Sequence, residues 1–222
     1  MTNVEENIEA VIKRMKAAAQ KAGRSTQDIT LVAVTKTATV EQVEEAVKCG
    51  IMDFGENRVQ TAEPKIKEIR ISGDQGIRWH MIGHLQTNKV KKATELFSLI
   101  HGVDSLRLAR EIDKEAAKKD IVFPVLLEIN ISGEESKFGV KPPDAAELLN
   151  QCSALSNIKV EGLMTMAPFS DDPEDSRPHF KKMSLLKADL GLKCLSMGMT
   201  QDFEVAIEEG SDIIRVGTAI FG

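Results

Sequence analysis

The chain contains no tyrosine, a single tryptophan and three cysteines, and its net charge is -5. Without tyrosine, no phenol is present to act as acid or base in any mechanism. Cys49, Cys152 and Cys194 lie far apart and form no CxxC pair, so neither a zinc cage nor a disulfide framework is indicated, and a reducing compartment is expected. An acidic excess gains little from counterion release, which argues against a general nucleic-acid surface; locally placed cations can still bind acidic small molecules. No apolar run approaches the roughly 20 residues that span a bilayer. The opening "MTNVEENIEAVIKRMKAAAQKAG" carries early acids and no continuous apolar centre, so it does not read as a signal peptide. Together these absences predict a cytoplasmic protein.

What is present is alternation. After a first segment with Val4, Ile8, Val11, Ile12 and Met15 at helical spacing, ending near Gly23, short β-rich runs recur. They are "LVAVT", "MDFGE", "RWHMIG", "LIHGVD", "PVLLEIN", "VEGLMTM", "CLSMG" and "DIIRVG". Between them lie amphipathic helical patterns, such as "TVEQVEEAVKCG" with Val40, Val43, Ala46 and Val47 on one face, and "DAAELLNQCSAL" with Ala145, Leu148, Leu149 and Cys152. Parallel strands each need a crossover, so eight such units predict an α/β fold, a (β/α)8 TIM-type barrel with an additional N-terminal helix, spanning residues 1–222 as one domain. A doubly wound open sheet is the alternative, disfavoured because no Gly-rich dinucleotide fingerprint follows the first strand. No helix is expected between the eighth strand and Gly222, which leaves the N-terminal helix to cover that gap in the outer ring.

Active sites of such barrels lie at the carboxyl ends of the strands. The residues there are Lys36, Glu56 with Asn57, Gly83 with His84, Asp104, Asn130, Met166 with Ala167, Ser196 to Gly198, and Arg215 to Thr218. Lys36 is the lysine of this set. It is either a solvated residue just past a strand or a Schiff-base nucleophile whose amine is kept reactive by desolvation or a nearby cation, with Arg215 the candidate cation. Ser196, Gly198, Gly217 and Thr218 follow strands seven and eight, where these barrels commonly hold phosphate on backbone N–H groups. Turn glycines and a helix cap at Thr200 account for the same residues without a ligand. Lysine and cradle across one mouth describe a ligand with both a carbonyl and a phosphate.

The segments "AVTK", "FGENRVQ", "WHMIGHLQTNK", "INISGEESKFG", "GLMTM", "SMGMTQDF" and "RVGTAIFG" resemble, in order and over nearly the whole chain, those of the pyridoxal 5'-phosphate (PLP) homeostasis family. These proteins are single-domain relatives of the alanine racemase N-terminal barrel. The resemblance implies a fold-type III barrel with the cofactor as a Schiff base on Lys36, Arg215 facing the pyridine nitrogen, Asn57 near the ring, and Ser196, Gly198, Gly217 and Thr218 at the phosphate. Thr200 stands where many relatives have serine, and the usual tail beyond "IFG" is absent, which leaves the covering of that barrel edge open.

Arginine at the pyridine nitrogen keeps its proton, so the ring nitrogen stays unprotonated and the cofactor is a poorer electron sink. The racemase-like enzymes also use a tyrosine from an additional domain, and neither is present here. The favoured expectation is therefore a PLP-binding homeostasis protein with no catalytic residue, serving as a monomer that supplies PLP-dependent apoenzymes. A small PLP-dependent racemase or lyase working with one base is the second reading, and a cofactor-free Schiff-base aldolase acting on a phosphorylated sugar is the third. His80 and His84, if both on one strand, would stand roughly 13 Å apart at about 3.3 Å per residue, too far to share a metal. His80 is read as either a packing residue or a contact to the cofactor region. Lys137 is read as a solvated loop lysine or an aid to cofactor delivery, and Glu134 and Glu135 as a solvated pair.

Overall fold

Each of the eight β-rich runs forms a strand in the computed structural model, which describes residues 3–71 and 76–222. The strands are β1 (Thr30–Val34), β2 (Asp53–Glu56), β3 (Arg78–Met81), β4 (Leu99–Val103), β5 (Phe123–Glu128), β6 (Ile158–Met164), β7 (Cys194–Ser196) and β8 (Ile213–Val216). All are parallel and pair in sequence order, and β8 pairs back onto β1 with Val32 opposite Arg215 and Ala33 opposite Val216. The sheet is thus a closed barrel without a free edge, and the open-sheet alternative is excluded.

Side chains alternate across each strand with period two. One phase, including Ala33, Phe54, Trp79, Ile100, Leu127, Leu195 and Ile214, joins the helices in one large apolar core. Phe54 and Trp79 pack with ring centroids 5.4 Å apart, and each such burial stabilises by about 1.5–3 kcal/mol. The other phase fills the barrel, where Val32, Leu126, Met164 and Ile213 form a small apolar cluster of their own. The rest of that interior is polar, with Asp53, His80, His101, Ser196 and Arg215 all buried. Strands β6 and β7 approach so closely that a Cβ on Gly162 would lie 1.9 Å from the Cys194 carbonyl oxygen, so that position admits only glycine.

The outer ring comprises α1 (Val4–Lys21), α2 (Val40–Lys48), α3 (Val59–Ile71), α4 (Val90–Leu96), α5 (Leu106–Ala117), α6 (Ala145–Ser153), α7 (Arg177–Asp189), α8 (Phe203–Glu208) and α9 (Thr218–Phe221). Helix α1 starts where the Asn3 side chain accepts from the Glu6 N–H, and it buries Val4, Ile8, Val11 and Met15. Helix α2 carries a capping box between Thr39 and Gln42. The expectation that no helix follows β8 is corrected by α9. Its Ile220 and Phe221 are buried, and the Asn7 side chain of α1 donates to the Ile220 carbonyl at 2.9 Å. The short apolar pair gains more from packing on α1 than the chain loses by making one helical turn, so α1 and α9 cover this edge together. Among the described residues, no helix is long and apolar enough to cross a membrane.

Candidate functional site

At the carboxyl end of the barrel lies a cavity of about 370 Å³. Its apolar wall is formed by Val34, Ile82, Phe138, Met166 and Met199, and its polar wall includes Lys36, Asn57, Glu128, Thr200, Arg215 and Thr218. Lys36 is exposed, but the residue before it is fixed: the Thr35 N–H donates to the Gly55 carbonyl, and the Thr35 hydroxyl donates to Glu56 at 2.7 Å. Lys65 of α3 donates to Glu56 and to the Thr35 carbonyl. Glu56, expected at the mouth, is instead turned outward, where it ties β1, β2 and α3 together beneath Lys36.

Arg215 forms the cavity floor. Its Nη1 donates to Ser196 Oγ at 2.5 Å and its Nη2 to the Thr165 carbonyl at 2.9 Å. Below it a chain of side chains runs down the barrel interior: Ser196 Oγ to His101 Nδ1, His101 Nε2 to His80 Nδ1, and His80 Nε2 to Asp53 Oδ1, each 3.0 Å. Arg78 closes it with two bonds to Asp53, at 2.7 and 2.5 Å. Burial and the neighbouring His80 and Arg215 hold His101 well below the ordinary histidine range, so it is neutral. A neutral His101 has one ring N–H and one acceptor nitrogen, so it donates to one of Ser196 and His80 and accepts from the other, and His80 Nε2 donates to the Asp53 carboxylate. Burial pushes Asp53 up, but the hydrogen bonds from His80 and Arg78 outweigh it and hold the carboxyl below its usual range. Burial lowers Arg215 to about 10 against the pull of Asp202 and Glu128, so it remains a cation at neutral pH.

Of the residues expected at a ligand, Lys36, Asn57, Arg215, Gly217 and Thr218 line this one cavity. Ser196 and Gly198 do not. Ser196 is fully buried beneath the floor, where its hydroxyl serves Arg215 and His101. Gly198 has φ +91°, and a Cβ there would meet Ala206 Cβ at 2.5 Å, so its role is the tight turn from β7 into α8. The residues after it, Met199 and Thr200, are the ones that reach the cavity. Asp202, not Thr200, holds the N-cap position of α8; it makes no side-chain cap bond, and its carboxylate instead accepts from the Met199 N–H of the preceding turn at 2.7 Å.

The remaining candidates separate. His80 is a packing residue of the interior chain, whereas His84 lies beyond β3, with Nδ1 3.3 Å from Asp104 Oδ2 and its ring stacked on Phe138 at 3.8 Å. Asn130 organises the loop that carries Phe138 over the mouth, donating to the Glu134 and Lys137 carbonyls. Lys137 pairs with Glu134 at 2.7 Å in that loop and does not line the cavity. Two residues the sequence reading passed over matter most. His101 links Ser196 to His80, and Glu128, on the cavity wall, is raised to about 7 by burial and by Asp104, against the opposing pull of Arg215. Their signal is phase. Each is a lone polar residue at an inward position of an otherwise apolar strand.

The family model of the alanine racemase N-terminal domain matches residues 6–222. A pyridoxal phosphate homeostasis protein of Aquifex aeolicus is 44% identical over 99% of this chain and 98% of its own. The chain belongs to the pyridoxal phosphate homeostasis protein family. Among solved structures, PipY of Synechococcus elongatus, described with PLP bound, is 32% identical with a TM-score of 0.84 and covers 99% of this chain and 100% of its own. An alanine racemase from Clostridium difficile, at 16% identity and a TM-score of 0.76, covers 99% of this chain but 56% of its own length, and shares the fold. Membership in the homeostasis family agrees with the eight-stranded barrel and with a cavity placed at its carboxyl end.

Proposed function

We propose that this cavity binds PLP reversibly and that the chain, read as one unit over residues 1–222, holds and releases the cofactor for use elsewhere. The observation that carries the reading is the donor set. A primary amine, a buried guanidinium and two hydroxyls line one apolar-walled cavity, in a chain related over its full length to a protein with PLP bound. Lys36, Arg215, Thr200 and Thr218 offer N–H and O–H donors toward an anion, as a phosphate and a ring nitrogen acceptor require.

The cofactor supplies an aldehyde that condenses with a primary amine with loss of water, and the amine at this cavity is Lys36. Arg215 is the donor for the ring nitrogen, held in place from below by Ser196 and the Thr165 carbonyl. Thr218, with Gly217 at the start of α9, and Thr200 hold the phosphate. Asn57 flanks the ring. Phe138, Met166 and Met199 give the ring an apolar wall. Two features support a store rather than turnover of a substrate: the arginine leaves the ring nitrogen unprotonated and its electron demand low, and the chain has no tyrosine to act as a second base. Three free cysteines suit a reducing cytoplasm, and a monomer meets this role without a partner chain.

Purified protein incubated with PLP should show a visible absorbance band, and borohydride should fix a pyridoxyl group on Lys36 that is lost in Lys36→Ala. Adduct absent from Lys36 in the unaltered chain overturns the reading. A panel of amino acids given to the loaded protein should yield no racemised or cleaved product; robust turnover would favour the one-base racemase or lyase. Size-exclusion chromatography should give the mass of one chain.

A further inference from the structure

Glu128 is the buried titratable group that neither the fold nor the binding scheme uses. It is 3% exposed, stands at the end of β5 on the wall of the same cavity as Lys36, and its Oε2 has no hydrogen-bond partner. A buried carboxyl oxygen without a partner is costly, and native proteins retain one where it has work to do. Space is kept for it: a Cβ on Gly102 of β4 would come within 3.2 Å of Oε2. The contrast with Glu56 is instructive, because Glu56 also has an unpartnered oxygen, but its other oxygen is locked by Thr35 and Lys65 and it does not line the cavity.

We propose that Glu128 is the acid and base that moves protons during loading and release of the cofactor at Lys36, a role that rests on the binding reading above. The condensation forms a carbon–nitrogen bond and expels the aldehyde oxygen as water. Nitrogen loses protons, and the departing hydroxyl must gain one. Glu128 in its acid form gives a proton to that hydroxyl, and its carboxylate takes one from nitrogen, so it ends as it began; hydrolysis runs the same transfers backwards. Net, amine and aldehyde give an imine and water with no other reactant. The groups around the carboxyl suit this use. Burial and Asp104 after β4 favour the acid form, Arg215 of β8 favours the carboxylate, and Lys36 and His84 are the other titratable groups lining the cavity. A carboxyl titrating at about 7 is populated in both forms at neutral pH, as a general acid and base requires.

The test is the kinetics of exchange, with Glu128→Gln as the variant of matching size. Stopped-flow absorbance follows loading of apoprotein with free PLP, and release is followed by trapping with excess glycine. Glu128→Gln should slow both by roughly 100-fold, leave the equilibrium affinity nearly unchanged because both directions slow together, and flatten the pH dependence centred at about 7. Glu128→Asp should restore part of the rate. Unchanged rates and an unchanged pH profile in a folded Glu128→Gln overturn the proposal. Should that variant fail to fold, Asp104→Asn should move the pH midpoint down, and an unmoved midpoint counts against the role. A readout without cofactor separates the two readings. Infrared titration of the apoprotein should show a carboxyl protonating near neutral pH that Glu128→Gln removes, and its absence overturns the role of Glu128. A missing Lys36 adduct in the unaltered protein instead overturns PLP binding.

Discussion

Asp53 on β2 and Glu128 on β5 are both buried carboxyls inside the barrel, one toward each end, and they are treated in opposite ways. Asp53 accepts from Arg78 and His80, and its pKa is held down. Glu128 has an oxygen with no partner, and its pKa is driven up to about 7. The first is scaffold: every group from Arg78 to Arg215 has its donor matched to an acceptor, so the chain of bonds fixes the cavity floor. The second is buried with its Oε2 unpartnered. Burial alone therefore does not separate the partnered carboxyl of this barrel from the unpartnered one; the hydrogen-bond partners do.

The largest test of the scaffold half is Gly162→Ala. Its Cβ has no room against the Cys194 carbonyl, and forcing β6 from β7 should cost about 3 kcal/mol or more in urea unfolding. Asp53→Ala comes next. It leaves the His80 N–H facing no acceptor, and a loss of about 2 kcal/mol is expected, with the exposed Arg78 arm contributing little of it.

Acidity should separate the two carboxyls by sign. Asp53 has a folded pKa below its unfolded one, so its contribution is present above the ordinary carboxylate range and is lost as pH falls through the folded value. Glu128 has a folded pKa raised from 4.5 to about 7, so the folded chain binds that proton more tightly and loses stability as pH rises across this interval. Glu128→Gln lacks that loss. In apoprotein, its stability relative to the unaltered chain should improve by about 2–3 kcal/mol between pH 5 and pH 8. A gap that does not widen would place Glu128 among the partnered groups. The smallest effect is expected on the surface, where Lys67→Ala removes an exposed ion pair with Glu63 and should leave the urea midpoint within experimental error.

Much of this molecule is legible from composition and period. The apolar runs from "LVAVT" to "DIIRVG" are each short, β-rich and followed by an amphipathic helix or turn, and that alternation admits few topologies. Lys36, Asn57, Arg215, Gly217 and Thr218 were legible because strand-end position alone brings them to one mouth. Ser196 and Gly198 were half legible. They sit in the right turn, but a single residue decides whether a group lies above or below the floor, and Ser196 falls on the inward phase of β7 while Met199 and Thr200 lie past the turn. The helical turn Thr218–Phe221 was missed because four residues carry too little periodicity to register, and its stability comes from α1.

By itself the sequence determined the barrel, its order of elements and the amine, arginine and small residues at its mouth, because strand and helix periods are local and a closed parallel sheet is what eight such units can bury together. Only the tertiary structure decided which polar groups are spent. Asp53, His80, His101, Ser196 and Arg215 come from five strands, and whether a buried carboxyl oxygen meets a donor, as in Asp53, or is left without one, as is Glu128 Oε2, depends on neighbours distant in sequence.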